Sequence, residues 1–257
     1  MRFCYFAHFR IPDDEDTRLA EDDIARVAAI VGAVARLSRA LVHVPAPMGT
    51  RHPFPRDEAP PMLALQLYAN CLEDLESALR PTGALQALGP GGEVDGLRAA
   101  RLQQQVMVVR AFETDVQPSA LTEAGETCSY LVHYPGHAEN LNAWLTHYLE
   151  HHPQIMRTLP HVREIEICTR VDWIGGLAGM RVDYMQRNKL VFNSPSELSE
   201  SLMSPVIRTM RADFRSFPEF AGGNVHYPMS TRTVTNAETA LEVGRARSSV
   251  GGDAVPD

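Results

Sequence analysis

Apolar and polar positions alternate with two different periods along the first part of the chain, and each change of period marks the boundary between a predicted strand and a predicted helix. Alternation over Phe3–Phe9 predicts a strand. The next apolar residues have the i, i+3, i+7 and i+10 spacing of an amphipathic helix and are Ile24, Val27, Val31 and Val34. Further strands are predicted at Ala40–Val44, Met62–Ala69 and Val106–Phe112, with a helix at Leu72–Leu88. This β-α-β-β-α-β order is that of a ferredoxin-like unit.

The same order of elements recurs from Thr127 onward. The predicted elements are strands at Ser129–Tyr134, Arg163–Arg170, Gln186–Phe192 and Asn224–Tyr227 and helices at Glu139–His152 and Ser196–Phe214. Residues repeat as well, because Tyr5–Phe9 and Tyr130–Tyr134 both read Tyr-x-x-His-aromatic. The sequence therefore predicts an α+β fold of two tandem ferredoxin-like halves, at residues 1–113 and 127–231. Residues 114–126 are predicted to be a linker and residues 232–257 a flexible tail.

Composition and charge narrow the classes of protein. The 257 residues are 44% hydrophobic and 22% charged, which is typical of a folded globular chain. A net charge of -8 without any Lys/Arg cluster argues against a nucleic-acid or anionic-membrane partner. No apolar run is long enough to span a bilayer, the first residues lack the pattern of a secretion signal, and the four cysteines form no C-x-x-C pair. We therefore expect a cytoplasmic protein with reduced thiols, and the sequence leaves open whether it forms a homo-oligomer.

Four short motifs in the second half carry a resemblance to a known family. They are Glu150-His151-His152-Pro153, Leu159-Pro160-His161-Val162, Ala212-Asp213-Phe214 and Phe217-Pro218-Glu219-Phe220. With these motifs, residues 128–230 resemble the EthD-like branch of the dimeric α+β barrel superfamily, to which methylmuconolactone methylisomerase is related. In that superfamily two ferredoxin-like units face their sheets together and close a barrel that has a ligand pocket. The resemblance therefore implies that the two halves of this one chain form such a barrel.

Two histidines occupy equivalent places in the first strands of the two halves. Alternation puts His8 with Phe6 on one face of the first strand, and His133 with Leu131 on the corresponding face of its counterpart. An unpaired imidazole on the helix-covered face would cost a few kcal/mol, so both histidines are predicted to lie in the barrel cavity as candidate acid–base groups. The alternative is a pair of core histidines that are hydrogen-bonded to neighbouring backbone.

Two further histidines are candidates for proton transfer. His152 follows Tyr148 by four residues on the buried stripe of its helix, and Pro153 predicts that the helix ends at His152. Carbonyl dipoles at a helix C-terminus favour imidazolium and raise the pKa, which suits a general acid. His226 lies in the last strand of the second half, where it corresponds to Arg110 of the first half. It is a candidate to replace His8 or His133 as the acid or the base.

Arginines and aromatic residues supply the predicted substrate contacts. Arg110 and Arg170 lie in strands, and each is a candidate for holding a carboxylate by two parallel hydrogen bonds. The alternative is an ion pair with one of the many acids of the chain. Trp173 belongs to a Gly-rich segment that is either a cover over the pocket or an ordinary connecting loop. Tyr130, at the opening of the second half, is the remaining predicted contact.

These residues favour a cofactor-independent isomerase of a small anionic dienoate or lactone from the breakdown of aromatic compounds. In the preferred version, cis–trans isomerisation, one histidine removes an enol proton while another protonates the conjugated carbon, and the resulting single bond rotates. Lactone isomerisation has less support, because the family's cysteine in the third strand has no match near Leu190. The alternatives are a haem-binding barrel with a histidine ligand and a ligand carrier without activity.

Other kinds of chemistry have less support in the sequence. His147 and His151 have metal-ligand spacing but no third ligand, so no metal is expected there. The proposed isomerase reaction needs no organic cofactor, and none is expected. Cys4 and Cys128 start equivalent strands, but the sequence gives no sign of the depressed thiol pKa that a nucleophile needs. The Gly-rich motifs of nucleotide sites and the G-x-S-x-G motif are absent from the sequence.

Overall fold

The computed structural model describes residues 1–48, 58–115 and 126–235 and divides them into strands, helices and two short 3-10 helices. The strands are β1 (Arg2–Arg10), β2 (Arg39–Pro45), β3 (Leu63–Ala69), β4 (Arg101–Phe112), β5 (Thr127–Tyr134), β6 (Glu164–Arg170), β7 (Met180–Arg181), β8 (Gln186–Phe192) and β9 (Val225–Val234). The helices are α1 (Glu21–Gly32), α2 (Leu72–Leu79), α3 (Leu141–Met156), α4 (Pro195–Met203) and α5 (Val206–Phe214). The 3-10 helices are Ala84–Leu88 and Asp95–Leu97.

All the strands except β7 form one closed antiparallel barrel. The first half has the order β4-β1-β3-β2 and the second half the order β9-β5-β8-β6, so each half is a ferredoxin-like sheet. The barrel closes where Ala40 of β2 lies opposite Val234 of β9 and where Phe112 of β4 lies opposite Ile165 of β6. The predicted α+β fold, with two ferredoxin-like halves in one barrel, is confirmed.

Alternation along the strands separates the helix-covered face of the sheet from the barrel interior. Tyr5 of β1 packs with the apolar residues of α1 and α2, whereas its neighbour Phe6 packs inside the barrel. In β5, Tyr134 packs beneath α3 and Leu131 lies inside. The molecule therefore has one outer apolar core for each half, and a separate barrel interior between them.

Prolines and a tight turn divide two of the predicted helices. The helix predicted at Leu72–Leu88 is α2 followed by a 3-10 helix, with Pro81 and Gly83 between them. A Cβ on Gly83 would lie 2.2 Å from the carbonyl oxygen of Ala78, so the turn is too tight for another residue. In the second half α4 and α5 are separate, because Pro205 disfavours helix at Ser204, whose ψ is 158°.

Several predicted boundaries differ from the structure, including the start of β4 at Arg101 rather than Val106. Helix α3 continues through Pro153 to Met156, because Met156 packs in the second-half core and the proline removes only one backbone hydrogen bond. Strand β9 runs to Val234, so the tail predicted from residue 232 begins inside a strand. Most of the predicted linker and of the tail lies outside the described residues. Within the described residues, no helix has both the length and the apolar character that crossing a bilayer requires.

Candidate functional site

His8 and His133 face each other across the barrel interior, as the alternation of their strands predicts. Both are buried, and their rings stack with centroids 5.0 Å apart. Burial lowers the pKa of both imidazoles well below the usual value, and the nearby Arg187 guanidinium lowers it further. The predicted placement is confirmed, and both rings are neutral in this environment. Their catalytic role stays a prediction.

A fully buried arginine joins these two histidines. Nη1 of Arg187 lies 3.2 Å from Nε2 of His8 and 3.2 Å from Nδ1 of His133. A guanidinium only donates hydrogen bonds, so both of these ring nitrogens accept, and the other nitrogen of each neutral ring carries the hydrogen. Nε of Arg187 donates to Oε1 of Gln105 at 3.2 Å. The interior histidines are therefore hydrogen-bonded to a cationic side chain rather than to the backbone.

A second buried cation, Lys189, lies two positions further along β8. Its Nζ lies 2.9 Å from Oε1 of Glu164 and 3.0 Å from Oε2 of Glu166. The hydroxyl of Tyr68 donates to Oε2 of Glu166 at 2.6 Å, and Arg2 pairs with the other oxygen of that carboxylate. This network joins β1, β3, β6 and β8, and its charges have opposite-charge partners within the barrel.

A cavity of about 280 Å³ lies on the helix-covered face of the second half, between its sheet and its helices. Its apolar walls include Val132, Leu159, Leu190, Phe192, Leu202 and Ile207. Its polar lining includes Tyr130, His152, Arg211, Arg215, Asn224 and His226. Three of the residues predicted to form the site, His152, His226 and Tyr130, therefore share this helix-side cavity, which is separate from the barrel interior.

His152 contacts a carboxylate at the wall of the helix-side cavity. Its Nδ1 lies 2.7 Å from Oδ2 of Asp213 on α5, whose other oxygen lies 3.5 Å from Nε2 of His147. Because Nδ1–H donates to the carboxylate, Nε2 is the basic nitrogen of His152. Burial lowers the pKa of His152 by more than Asp213 raises it, so the predicted raised pKa is wrong. His152 lies inside α3 rather than at its end, and it has the character of a neutral base rather than of a general acid.

The sheet contributes a second polar wall to the helix-side cavity. The rings of His226 and Tyr130, on the paired strands β9 and β5, stack with centroids 5.4 Å apart and an interplanar angle of 18°. Nδ2 of Asn224 lies 3.3 Å from Nε2 of His226. A flat polar surface on the sheet therefore lines the same cavity as His152, which comes from the covering helix α3.

The other predicted substrate contacts lie away from these histidines. Arg110 is exposed on the outer face of β4, because its neighbour Val109 faces the interior, and it donates to Oγ1 of Thr169. Arg170 pairs with Asp183 at 2.8 Å. Trp173 packs in the first-half core and is not part of the lining of the second-half cavity. The structure thus separates Arg110, Arg170 and Trp173 from the histidines with which the sequence groups them.

Thiol and metal chemistry gain no support from the structure. Cys4 and Cys128 are both buried, and burial raises the pKa of Cys128 to about 12 and that of Cys4 further. Such thiols stay protonated and are poor nucleophiles. Among the described residues, no group of three or more His, Cys, Asp or Glu side chains is arranged to hold a metal ion.

Sequence reasoning missed the roles of Arg187, Asp213 and Arg215. The signal for Arg187 is the polar run Gln186–Lys189 inside a strand whose residues are all buried, since such charges need partners. The motif Ala212-Asp213-Phe214 contains the partner of His152, but the sequence alone does not bring these two helices together.

Comparison with known proteins supports the fold. No protein-family model and no curated protein sequence matches this chain. Among solved structures, it is similar to a protein named "putative monooxygenase" from Fusobacterium nucleatum subsp. nucleatum, with 10% identity, a TM-score of 0.54, and coverage of 92% of this chain and 94% of that one. It is also similar to an anthrone oxidase-like protein, with 14% identity, a TM-score of 0.51, and coverage of 91% and 93%. A further similar structure is a "putative monooxygenase" from Lactobacillus acidophilus, with 8% identity, a TM-score of 0.50, and coverage of 91% and 97%.

At these identities the likeness establishes the α+β barrel fold alone. The neighbours do not distinguish the EthD-like branch from other barrels of this architecture, so membership of that branch stays a prediction.

Proposed function

We propose that this chain is an enzyme that moves protons on a small, largely apolar organic acid bound in the helix-side cavity. The observation that carries the proposal is the 2.7 Å contact between Nδ1 of His152 and Oδ2 of Asp213, beside an apolar cavity. A carboxylate that accepts from Nδ1–H holds an imidazole in one tautomer and one orientation, with Nε2 ready to accept a proton.

The lining of the cavity indicates the class of substrate. Its volume of about 280 Å³ is close to the lower limit of small-molecule sites, which is about 300 Å³. The apolar walls favour a conjugated carbon skeleton. Arg211 on α5 and Arg215, the residue that follows α5, also line the cavity, and both are exposed to solvent. These arginines, rather than Arg110 and Arg170, are suited to pairing with a carboxylate of the substrate.

For a conjugated hydroxy-dienoate, the two histidines of the cavity complete a cycle without redox change. Nε2 of His152 takes the enol O–H proton, the O–H electron pair forms a C=O bond, and a carbon of the former C=C bond takes a proton from His226. The former double bond is then single and rotates. Return of the carbon proton to His226 and of the other proton to oxygen restores the double bond in the opposite geometry.

The names of the structural neighbours favour a second outcome of the same proton removal. Proteins with this fold include an anthrone oxidase-like protein and two that are named as monooxygenases. If His152 takes a proton from an acidic CH2 group, the carbanion can react with O2. The balanced reaction converts CH2 and O2 into C=O and H2O, so the carbon is oxidised and O2 is reduced. Consumption of O2 separates this outcome from isomerisation.

A haem site is the alternative that the sequence leaves open, and the cavity fits haem only in part. His152 with Asp213 has the donor set of an axial histidine that is oriented by a carboxylate. However, a cavity of about 280 Å³ lies below the range of sites for drug-sized ligands, and a porphyrin is larger than these ligands. The chemistry proposed here therefore uses protein side chains alone.

A substrate panel with one variant and one control tests the proposal. Wild-type protein, His152→Gln and His147→Gln are assayed on hydroxy-dienoates and on anthrone-like phenols, with product analysis and an oxygen electrode. We expect His152→Gln to lower kcat by roughly 10²- to 10⁴-fold and His147→Gln to have a small effect. Turnover at the wild-type rate in His152→Gln would show that His152 is not the base. Binding without turnover in the wild type would indicate a ligand carrier.

A further inference from the structure

Arg187 is a fully buried cation with no carboxylate partner in the described part of the chain. Its relative exposure is 0%, and none of the acidic side chains in residues 1–48, 58–115 and 126–235 forms an ion pair with it. Lys189, also at 0%, is paired with two carboxylates in the same barrel interior. An uncompensated buried charge is costly, so the contrast between these neighbours on β8 requires a reason.

Hydrogen bonding around Arg187 leaves donors without acceptors. Nη2 of Arg187 and Nε2 of His133 are buried and find no hydrogen-bond partner among the residues that the structure describes. Because Nδ1 of His133 accepts from the guanidinium, Nε2 of this neutral ring carries the hydrogen and is itself a donor. Both unsatisfied atoms of this cluster are therefore donors, and both call for the same kind of partner: an acceptor that carries negative charge.

Aromatic rings compensate the guanidinium only in part. The Cζ atom of Arg187 lies 4.2 Å from the ring centroid of Tyr184 and 5.1 Å from that of Phe6. These contacts stabilise a cation by its interaction with the ring face, but they supply no hydrogen-bond acceptor for Nη2.

Two side-chain contacts lead from a second cavity to the neighbours of Arg187. Tyr184 is half-buried, and its hydroxyl lies 3.5 Å from Oε1 of Gln103, which lines a cavity of about 610 Å³. Arg10 lines the same cavity and lies over the ring of Tyr227, which contacts His133 with a centroid distance of 5.4 Å.

We propose that the barrel interior binds one small monovalent anion, either a halide or a short oxyanion such as formate, through Nη2 of Arg187 and Nε2 of His133. This anion site is distinct from the helix-side cavity. His133 faces inward from β5, whereas Tyr130, Val132 and Tyr134 of the same strand line the cavity on the opposite face. The anion supplies the negative charge that the surrounding side chains do not.

Thermal unfolding at constant ionic strength tests the site. Bromide and formate are each titrated against gluconate, which is too large for the site. For wild-type protein we expect a saturable rise in Tm of roughly 5–10 °C at a hundredfold excess over Kd with at least one of the two anions. Arg187→Met should abolish the rise. Arg110→Met is the matched control, since it removes the same charge from an exposed position and should keep the wild-type rise.

Two results would overturn the anion site: no saturable rise for wild-type protein with either anion, or an equal rise in Arg187→Met. If Arg187→Met does not fold, crystals of the wild type grown with bromide and with formate show whether an anion binds beside Arg187. A bromide anomalous peak or formate density within hydrogen-bond distance of Nη2 would support the site, and water alone at that position would overturn it. The helix-side cavity is not involved in these measurements, so its proposed chemistry stands or fails separately.

Discussion

Asp213 and His152 lie 61 positions apart in the chain, and Oδ2 of the carboxylate is 2.7 Å from Nδ1 of the imidazole. The contact forms because α5 packs against α3, with the ring of Phe217 edge-on to that of His152 at a centroid distance of 5.2 Å. Burial lowers the pKa of His152, and the carboxylate keeps the remaining hydrogen on Nδ1. The basicity of Nε2 in the helix-side cavity therefore depends on a residue of another helix.

Replacement of Asp213 by Asn should weaken the base without weakening substrate binding. An amide can donate to Nδ1 and so favour the tautomer with the hydrogen on Nε2, which cannot accept a proton. We expect Asp213→Asn to lower kcat by roughly 10²- to 10⁴-fold, with KM changed only a few-fold. Steady-state kinetics on the substrate identified in the panel measure both constants.

The pH profile distinguishes this positioning role from a general loss of structure. Asp213 raises the pKa of His152, so its removal lowers that pKa and moves the acid limb of kcat/KM to lower pH. His147 contacts the other oxygen of the carboxylate and lowers the pKa of His152, so His147→Gln should move the limb in the opposite direction, to higher pH. An acid limb unchanged in Asp213→Asn would contradict the assignment.

Two arginine substitutions test which surface holds the substrate carboxylate. Arg215 lines the helix-side cavity, whereas Arg110 lies on the outer face of β4 and contacts Thr169. Loss of a charge-assisted contact of about 1.5–3 kcal/mol should raise KM by roughly 10- to 100-fold in Arg215→Ala. Arg110→Ala should leave KM within about twofold of wild type. The opposite ranking of the two KM values would restore the role that the sequence predicts for Arg110.

Stability should fall in mild acid, because four histidines are held neutral by burial. Burial lowers the pKa of His43 to about 3, and it lowers the pKa of His8, His133 and His152 as well. The unfolded chain binds protons that the folded chain excludes. The stabilisation is therefore fully present above the ordinary histidine pKa of about 6.5 and is lost as the pH falls below it. Each histidine contributes about 1.4 kcal/mol per pH unit well below that value. Urea unfolding at several pH values between about 7.5 and 5 measures this slope.

A variant of His43 tests the origin of this pH dependence. His43 is fully buried, and His43→Leu removes one titrating group while an apolar side chain still fills the space. The slope of the unfolding free energy against pH should therefore decrease by about one histidine's contribution. The control is His137→Gln, which replaces an exposed ring. An equal slope in His43→Leu and wild type would mean that other groups govern acid unfolding.

Removal of the lysine inside the barrel should destabilise the fold strongly. Lys189→Met leaves the carboxylates of Glu164 and Glu166 without their shared buried cation. Breaking a buried ion pair from one side typically costs about 3–5 kcal/mol, which urea unfolding can measure. The double variant Lys189→Met/Glu166→Gln should recover part of the loss, since it also removes a buried charge. A loss below about 1 kcal/mol in Lys189→Met would contradict this account of the network.

The order of elements in both halves follows from local pattern. The alternation of Phe3–Phe9 and of Ser129–Tyr134 is enough to predict two strands and to place His8 and His133 on the inward face, because side chains of a strand alternate between its two sides. Local pattern failed where packing outweighed it. Helix α3 passes through Pro153, since burial of Met156 outweighs one lost backbone hydrogen bond.

By itself, the sequence determined two ferredoxin-like units and the face on which each strand residue lies. Only the tertiary structure decided which of these faces meet. Pairing of β5 with β8 sets His133 opposite Arg187. Edge pairing of β2 with β9 and of β4 with β6 closes the barrel, and this closure brings His8 of the first half to both residues. Packing of α5 on α3 brings Asp213 to His152. Such contacts join residues that are distant in the chain, and their geometry depends on the closure of the whole sheet and on the packing of its covering helices, which the periodicity of a single segment does not contain.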